Sequence, residues 1–341
     1  MSFMSRVIEA AERLPLPDII IRAAIRQLCS RTATRLSGRS TEGDAAFARE
    51  MVARAIAEHT EAANAQHYEV PAAFFSFVLG PNRKYSCCFY KSESCSLEEA
   101  EEEALRQTVE HADLHDGQSI LELGCGWGSL SLLMARQFPR ARIAVVSNSH
   151  SQREFVSAEA AKRGLTNLCV ITADMNAFDP GAQFDRIVSV EMFEHMMNWR
   201  LLLSHVRSWL APDGRFFMHI FTHRSGCYLY DRSDREDWIA RHFFTGGVMP
   251  SHHLIRQYAD LFEVEQEWRW SGTHYRRTAE HWLENFAVHR DVVECVLREV
   301  YGEETPLWMR RWRWFFLATA GLFGYADGGE WGVSHYRMKA V

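Results

Sequence analysis

The chain has 341 residues, of which 47% are hydrophobic, so it can form one large domain or two small ones around an ordinary core. Its formal net charge of -6 provides no positive field for nucleic acid or anionic lipid. No apolar run reaches the roughly 18 residues of a spanning helix, so we expect neither a nucleic-acid-binding protein nor stable insertion in a membrane.

The beginning of the chain, MSFMSRVIEAAERL, is too charged for a secretory signal, and we expect a cytoplasmic protein. Eight cysteines are scattered without a C-x-x-C pair, which predicts reduced thiols and no metal site. Residues 1–63 are predicted to form a helical N-terminal extension, because apolar side chains recur there at helical spacing around a break at Pro15 and Pro17.

Residues 64–90 are rich in aromatic side chains, and composition alone predicts a core segment around Phe74 and Phe75. Ser96 and Glu99 then have the spacing of a capping box, which predicts the start of an acidic helix that runs to about His111.

The central region alternates strands and helices, which predicts an α/β fold with a parallel sheet covered on both faces. The predicted strands are 119–123, 142–147, 168–172, 185–190 and 214–221. The predicted helices between them are 129–137, 150–163 and 199–210. The chain then continues with an insertion, a strand, two helices and a last strand, at about 222–258, 262–270, 278–299, 306–322 and 331–338. In such sheets ligands bind beyond the carboxyl ends of the strands.

A glycine-rich turn follows the first predicted strand in the stretch SILELGCGWGSL. Gly124, Gly126 and Gly128 alternate between that strand and the next helix, so backbone can approach a ligand there and helix N–H groups can point at it. The spacing is G-x-G-x-G and not the G-x-G-x-x-G of dinucleotide enzymes. With Glu122 before the first glycine, the stretch resembles the first motif of S-adenosylmethionine (SAM)-dependent methyltransferases.

Three titratable side chains follow the fourth predicted strand in VEMFEH: Glu191, Glu194 and His195. Two carboxylates and an imidazole within five residues of an apolar strand indicate a functional site and not packing. Methyl transfer from a sulfonium needs a neutral nucleophile in line with the methyl group and a group that holds or removes a proton. A carboxylate and a histidine could therefore orient and deprotonate an amine.

Taken together, these stretches resemble the cyclopropane-fatty-acid-synthase superfamily, and within it the coclaurine-type N-methyltransferases. The matching stretches span about residues 64–336 and are QHYEVPAAFF, KYSCCFY, LELGCGWGS, SNSHSQ, VEMFEHM, HIFTHR, FFTGGVMPS and LFGYADGGEW. The resemblance implies a methyltransferase domain at 64–341 with the seven-stranded class I (Rossmann-like) fold. A cap insertion at about 222–258 and C-terminal helices would cover the substrate.

The resemblance also implies a SAM site. Backbone at Gly124 and Gly126 would lie against the methionine part of SAM, and Ser147, Asn148 and Gln152 would replace the acidic residue that usually binds the ribose. Asp174 would accept from the adenine amino group, with Met175 against the ring. The segment that closes over the methionyl carboxylate would supply Tyr68, Tyr85 and Ser86.

For catalysis, the resemblance to the alkaloid enzymes implies that Glu194 and His195 act as the base pair. Glu191 would support them, and His219, after the fifth strand, could also face the pocket. The cofactor is then SAM, and the substrate is a small aromatic or cyclic amine.

The main alternative is a lipid-modifying enzyme of the cyclopropane synthase type, which holds bicarbonate as its base. Cys87, Glu194 and His219 match the bicarbonate ligands, but the expected tyrosine of the late helix falls on Trp314 or Phe315. The loss of that hydroxyl favours the amine reaction, since ring faces suit a flat or cationic substrate. A non-catalytic SAM-binding protein is a third possibility, and it would leave the Glu191–His195 cluster without a role.

Overall fold

The structure is a computed structural model, and it describes residues 8–37, 41–58, 70–234 and 237–341. The helices before the central sheet whose full bounds lie in the described residues are α1 (Asp18–Leu36), α2 (Thr41–Met51), α3 (Ala72–Val78) and α4 (Leu97–His111). The predicted capping box begins α4: the Ser96 side chain accepts from the Glu99 N–H, and the Glu99 side chain accepts from the Ser96 N–H.

A seven-stranded sheet forms the centre of the molecule, in the order β3-β2-β1-β4-β5-β9-β8. Its strands are β1 (Ser119–Leu123), β2 (Arg142–Ser147), β3 (Leu168–Thr172), β4 (Phe184–Val190), β5 (Leu210–His223), β8 (Phe262–Ser271) and β9 (Trp331–Ala340). Strands β1 to β5 are parallel, while β9 runs antiparallel to both β5 and β8. The predicted class I methyltransferase fold is thus confirmed.

Helices connect the parallel strands at the predicted places: α5 (Ser129–Gln137), α6 (His150–Lys162) and α7 (Trp199–Trp209). Between β5 and β8 the chain forms a small hairpin of β6 (Tyr228–Leu229) and β7 (Val248–Met249), with α8 (Trp238–His242) between its strands. Three further helices are α9 (Gly272–Val288), α10 (Arg290–Tyr301) and α11 (Thr305–Gly324). The single helix predicted at 278–299 is wrong, because the chain breaks at His289 into α9 and α10.

The aromatic segment before the sheet packs against the C-terminal helices. Phe74 and Phe75 on α3 are fully buried, and the Phe74 ring lies 4.6 Å from that of Trp312 on α11. Helix α1 packs on the same helix: a Cβ added at Gly321 would lie 2.5 Å from Cγ2 of Ile25. The glycine therefore permits the close approach of α1 to α11.

A buried carboxyl holds the loop that leads into the YSCC segment. Oε2 of Glu101 accepts from the Asn82 N–H at 2.8 Å, and Oε1 accepts from the Lys84 N–H at 3.2 Å. Burial raises the pKa of Glu101 to about 7, because two backbone donors replace water only in part.

We expect Glu101→Gln to reduce the dependence of stability on pH. The folded protein keeps a proton that an unfolded glutamate loses near pH 4.5, so this stabilisation is complete below that pH and is lost as pH rises to about 7. Between these values the free energy of unfolding of the wild type should fall by roughly 1.4 kcal/mol per pH unit more than that of the variant. Urea titrations across this range measure it, with exposed Glu102→Gln as the control. If the free energies of unfolding of wild type and Glu101→Gln change in parallel with pH, the raised pKa of Glu101 is contradicted.

Candidate active site

A cavity of about 950 Å³ opens at the carboxyl ends of β1 to β4, where the fold predicts a ligand. Its walls combine the strand ends with side chains from α1, α9, α11 and the β6–β7 insertion. Ligand pockets hold roughly 300–1,000 Å³, so this cavity has room for two small molecules side by side. Most of the expected site residues lie in its wall: Tyr85, Ser86, Glu122, Gly124, Gly126, Ser147, Asn148, Gln152, Asp174, Met175, Glu191 and His195.

In the glycine turn after β1, one of the three glycines leaves free space beside its backbone. All three glycines have positive φ: +81° at Gly124, +51° at Gly126 and +82° at Gly128. A Cβ at Gly124 would lie 2.8 Å from Met192, and one at Gly128 would lie 2.8 Å from Val156. At Gly126 an added Cβ would meet no atom of the described residues within 4 Å. Gly126 therefore leaves space in the cavity wall, as close contact with a cofactor requires.

The polar residues around this turn are held by one another. Oε2 of Glu122 accepts from the Ser131 hydroxyl at 2.5 Å, and burial raises the pKa of Glu122 to about 7. After β2, the Ser147 hydroxyl donates to Oε1 of Gln152 at 2.7 Å, and both side chains are buried. These groups offer oxygens and N–H groups for hydroxyls and for a cationic amine.

Asp174 follows β3, lies in the wall of the cavity and is hydrogen-bonded to Asn176. Its Oδ1 accepts from the Asn176 N–H at 2.8 Å, and the Asn176 side chain in turn bonds the backbone of Ala57. Met175 is 8% exposed beside it. An acceptor beside a thioether suits the edge and the face of an adenine ring.

A buried lysine, Lys84, directly precedes the YSCC segment (residues 85–88), and the sequence analysis did not identify it. Nζ of Lys84 donates to the Ser86 hydroxyl at 2.5 Å and to the Cys87 carbonyl at 2.6 Å, and the residue is 1% exposed. This cation fixes Ser86 in the wall beside Tyr85. The predicted Tyr68 lies outside the described residues.

Glu191 is the centre of a hydrogen-bond network at the end of β4. Its backbone has a φ of +48°, which is strained for a residue with a side chain. Oε1 lies 2.8 Å from the Cys87 N–H and 3.2 Å from Nε2 of His219, and Oε2 accepts from the Tyr275 hydroxyl at 2.7 Å. Burial raises the pKa of Glu191, while Lys84, Cys87 and Tyr275 oppose that effect.

Glu194 and His195, the other two titratable residues after β4, occupy different positions. His195 lies in the cavity wall with its ring 4.5 Å from that of Phe244. Glu194 is fully buried, and its Oε1 accepts from the Phe221 N–H at 2.7 Å. Burial, together with the charge of Glu191, raises the pKa of Glu194 well above its usual value, which favours the protonated form of this carboxyl. Glu194 and His219 therefore lie behind the wall that Glu191 and His195 form.

Tyr275 is a second residue that the sequence analysis missed. It lies in the first turn of α9, directly after β8, and only the tertiary fold brings its hydroxyl to Glu191. Its position after a strand end in the run THYRRT is the signal that could have found it. Other wall residues are aromatic and come from distant segments: Phe221, Tyr228, Tyr230, Phe244, Trp282, Trp314, Phe315 and Phe323.

Comparisons with known proteins agree with this geometry. The mycolic acid cyclopropane synthetase family matches residues 56–326. The chain is 37% identical over 289 residues to (S)-coclaurine N-methyltransferase of Thalictrum flavum subsp. glaucum, covering 83% of this chain and 80% of that enzyme. It is 29% identical over 270 residues to cyclopropane-fatty-acyl-phospholipid synthase of Escherichia coli (strain K12), covering 79% of this chain and 66% of that enzyme.

A solved structure of coclaurine N-methyltransferase, bound to N-methylheliamine and S-adenosylhomocysteine (SAH), matches this fold with a TM-score of 0.94. The two are 32% identical, and the match covers 99% of this chain and 100% of that one. In the described residues no helix is long and apolar enough to cross a membrane. The chain belongs to the mycolic acid cyclopropane synthetase family and is a SAM-dependent N-methyltransferase.

Proposed function

We propose that this enzyme methylates the nitrogen of a cyclic amine that carries an aromatic ring, with Glu191 and His195 facing the amine. The single observation behind this is the position of the Glu191 carboxylate: it accepts from the Cys87 N–H and the Tyr275 hydroxyl, and its Oε1 lies 3.2 Å from Nε2 of His219. A negative group fixed in the cavity wall attracts a cationic amine and can accept its proton.

The contacts of Glu191 also bear on the alternative reaction. The resemblance to cyclopropane synthases matches Cys87, Glu194 and His219 to bicarbonate ligands, while the expected tyrosine of the late helix falls on Trp314 or Phe315. A tyrosine hydroxyl comes instead from Tyr275 on α9. The Cys87 N–H, His219 and Tyr275, however, already contact a carboxylate of the chain itself. Glu191 then serves as the built-in anion, and a free bicarbonate ion is not needed.

The aromatic wall supports a flat, positively charged substrate. The ring centroids of Phe221 and Phe244 lie 5.7 Å apart, and the His195 ring lies 4.5 Å from that of Phe244. Trp314 and Phe315 close the wall from α11. Aromatic faces stabilise a cation by about 0.5–2 kcal/mol each, and they also pack against a planar ring.

In the proposed reaction, SAM supplies the methyl group when it is bound. The Glu191 carboxylate orients the amine and takes its proton, so that the nitrogen lone pair is free to attack. His195 holds the nitrogen in line from the Phe244 side. Glu194, which accepts a hydrogen bond from the Phe221 N–H, fixes the turn that carries both groups.

The relatives support an alkaloid-type amine as substrate. Besides coclaurine N-methyltransferase, a pavine N-methyltransferase of Thalictrum flavum subsp. glaucum is 32% identical over 297 residues. The related cyclopropane synthase is less similar, at 29% identity. The amine reaction is therefore the proposal, and lipid modification is the alternative that the test must address.

The test is a substrate panel with methyl-labelled SAM. We expect label in (S)-coclaurine or 1,2,3,4-tetrahydroisoquinoline, no label in vesicles of unsaturated phospholipid, and no effect of bicarbonate removal on amine methylation. Label that appears in phospholipid alone, and that falls when bicarbonate is removed, would establish the lipid reaction instead. Label in neither class of acceptor would refute the proposed amine substrate.

A further inference from the structure

Three buried histidines form a row that leads from Glu191 away from the cavity: His219 on β5, His335 on β9 and His111 in the last turn of α4. Nε2 of His219 lies 3.2 Å from Oε1 of Glu191. The His219 and His335 ring centroids are 4.5 Å apart, and the Nδ1 atoms of His335 and His111 are 2.8 Å apart. The first two rings are fully buried, and His111 is 8% exposed.

The sheet register and the surrounding side chains keep this row together. His219 and His335 are direct partners in the β5–β9 ladder, so their rings project from the same face of the sheet. Trp270 lies 4.3 Å from the His335 ring, and Trp268 stacks on His111 at 3.9 Å. Polar rings so enclosed by aromatics are costly unless they have partners.

Two nitrogens of the row have no hydrogen-bond partner among the described residues: Nδ1 of His219 and Nε2 of His335. They belong to neighbouring rings whose centroids lie 4.5 Å apart, and because the two nitrogens are not hydrogen-bonded to each other, transfer between them requires one bridging water. The mechanism above gives these atoms no role, and packing alone does not require an imidazole at either position.

We propose that His219, His335 and His111 carry the amine's proton from Glu191 to the surface. This inference rests on the proposed function. Methylation of a secondary amine forms one N–C bond, breaks the S–C bond with its electron pair going to sulfur, and releases one proton. Substrate and cofactor fill the cavity in front of Glu191, so the row of rings behind it offers the proton a way out.

Each ring passes the proton by gaining it at one nitrogen and losing it at the other. Glu191 gives its proton to Nε2 of His219, whose Nδ1 proton moves through one bridging water to Nε2 of His335. Nδ1 of His335 donates to Nδ1 of His111, and the proton on Nε2 of His111 leaves to solvent. Burial keeps the pKa of His219 and His335 well below the usual 6.5 and lowers that of His111 to about 4. The rings are therefore neutral at pH 7, with one donor and one acceptor each.

The test measures proton release in a single turnover, with tetrahydroisoquinoline, labelled SAM and a pH indicator in weak buffer. His111→Phe keeps a ring against Trp268, and His335→Gln keeps a hydrogen-bonding group toward His111. We expect each variant to slow the appearance of the proton by roughly tenfold or more. The Michaelis constants for SAM and amine should not change, and added imidazole should restore His111→Phe. His115→Phe is the matched control, because its side chain is 68% exposed and lies outside the row.

The outcomes separate the possible explanations. Proton release at the wild-type rate in both folded variants would overturn the relay, even if their melting temperatures fall. Should one variant fail to fold by circular dichroism, the other decides the question. If the wild type methylates no amine at all, the proposed function fails, and the relay fails with it for that separate reason.

Discussion

Replacing Glu191 with Gln should lower turnover by about 10²–10⁴-fold, while the affinity for SAM changes little. Gln has the shape of Glu but neither its charge nor its basicity, and its NH₂ group would face the Cys87 N–H or the Tyr275 hydroxyl, which now donate to the carboxylate. His195→Ala should also lower turnover far more than it weakens SAM binding, because His195 lies in the wall beside Phe244. Calorimetry with SAM and initial rates with an amine measure the two effects separately.

The dependence on pH has a defined sign. Burial raises the pKa of Glu191, and only its ionised form accepts a proton, so wild-type activity should fall as pH falls through that raised value. Glu191→Gln should lose this dependence, and its deficit should shrink at high pH, where free amine forms unaided. A variant that keeps the acidic limb of the wild-type profile would contradict the assignment of Glu191 as base.

Glu194 offers a matched comparison. Glu194→Ala should lower turnover strongly, because it removes the acceptor for the Phe221 N–H. Glu194→Gln should cause a much smaller loss, since Gln keeps that acceptor and the raised pKa of Glu194 favours the neutral carboxyl, which Gln resembles. If Gln is as damaging as Ala, then Glu194 ionises and acts as the base, which was the expectation from sequence.

The second large effect concerns the glycine turn. Gly126→Val should abolish SAM binding and leave the fold mostly intact, because its side chain would enter space that is free of described protein atoms in the cavity wall. Gly164→Val is the matched control: Gly164 also has a positive φ, +67°, and open space at its Cβ, but it lies at the end of α6. Both variants carry a similar backbone strain of roughly 1–2 kcal/mol.

Calorimetry with SAM in the presence of a chelator measures this prediction and also tests the expectation that binding needs no metal. Normal binding by Gly126→Val would show that the turn does not contact the cofactor. Equal loss of binding in both variants would trace the effect to backbone strain. Loss of wild-type binding on chelation would refute the expectation about metals.

Local sequence patterns predicted the sheet and the residues at its strand ends. Glu191 and Gly126 could be identified because each lies within three residues of the end of a strand in a parallel sheet, and the topology alone brings such positions to one edge. The capping box at Ser96 and Glu99 is likewise a local signal. The predicted elements of the central sheet agree with the structure within a few residues, since alternation of strand and helix is encoded locally.

The partners of these residues could not be predicted, because they come from distant segments. Tyr275 reaches Glu191 across 84 positions of sequence, and His335 reaches His111 across 224. Lys84 looks like a surface lysine in sequence and is buried only by the packing around it. The different roles of Glu191 and Glu194 likewise depend on a positive φ and on which backbone N–H each meets.

The wall that α1 contributes to the cavity has a consequence for how this enzyme can change. Ile21, Ile25 and Leu28 line the cavity from a helix outside the sheet, before the region that the family shares, and α1 is fitted to α11 through Gly321. None of these side chains takes part in the network of Glu191. Mutational drift within α1 can therefore alter which amines are accepted without altering the transfer chemistry. A library of mutants confined to these three positions should therefore yield variants that accept other amines.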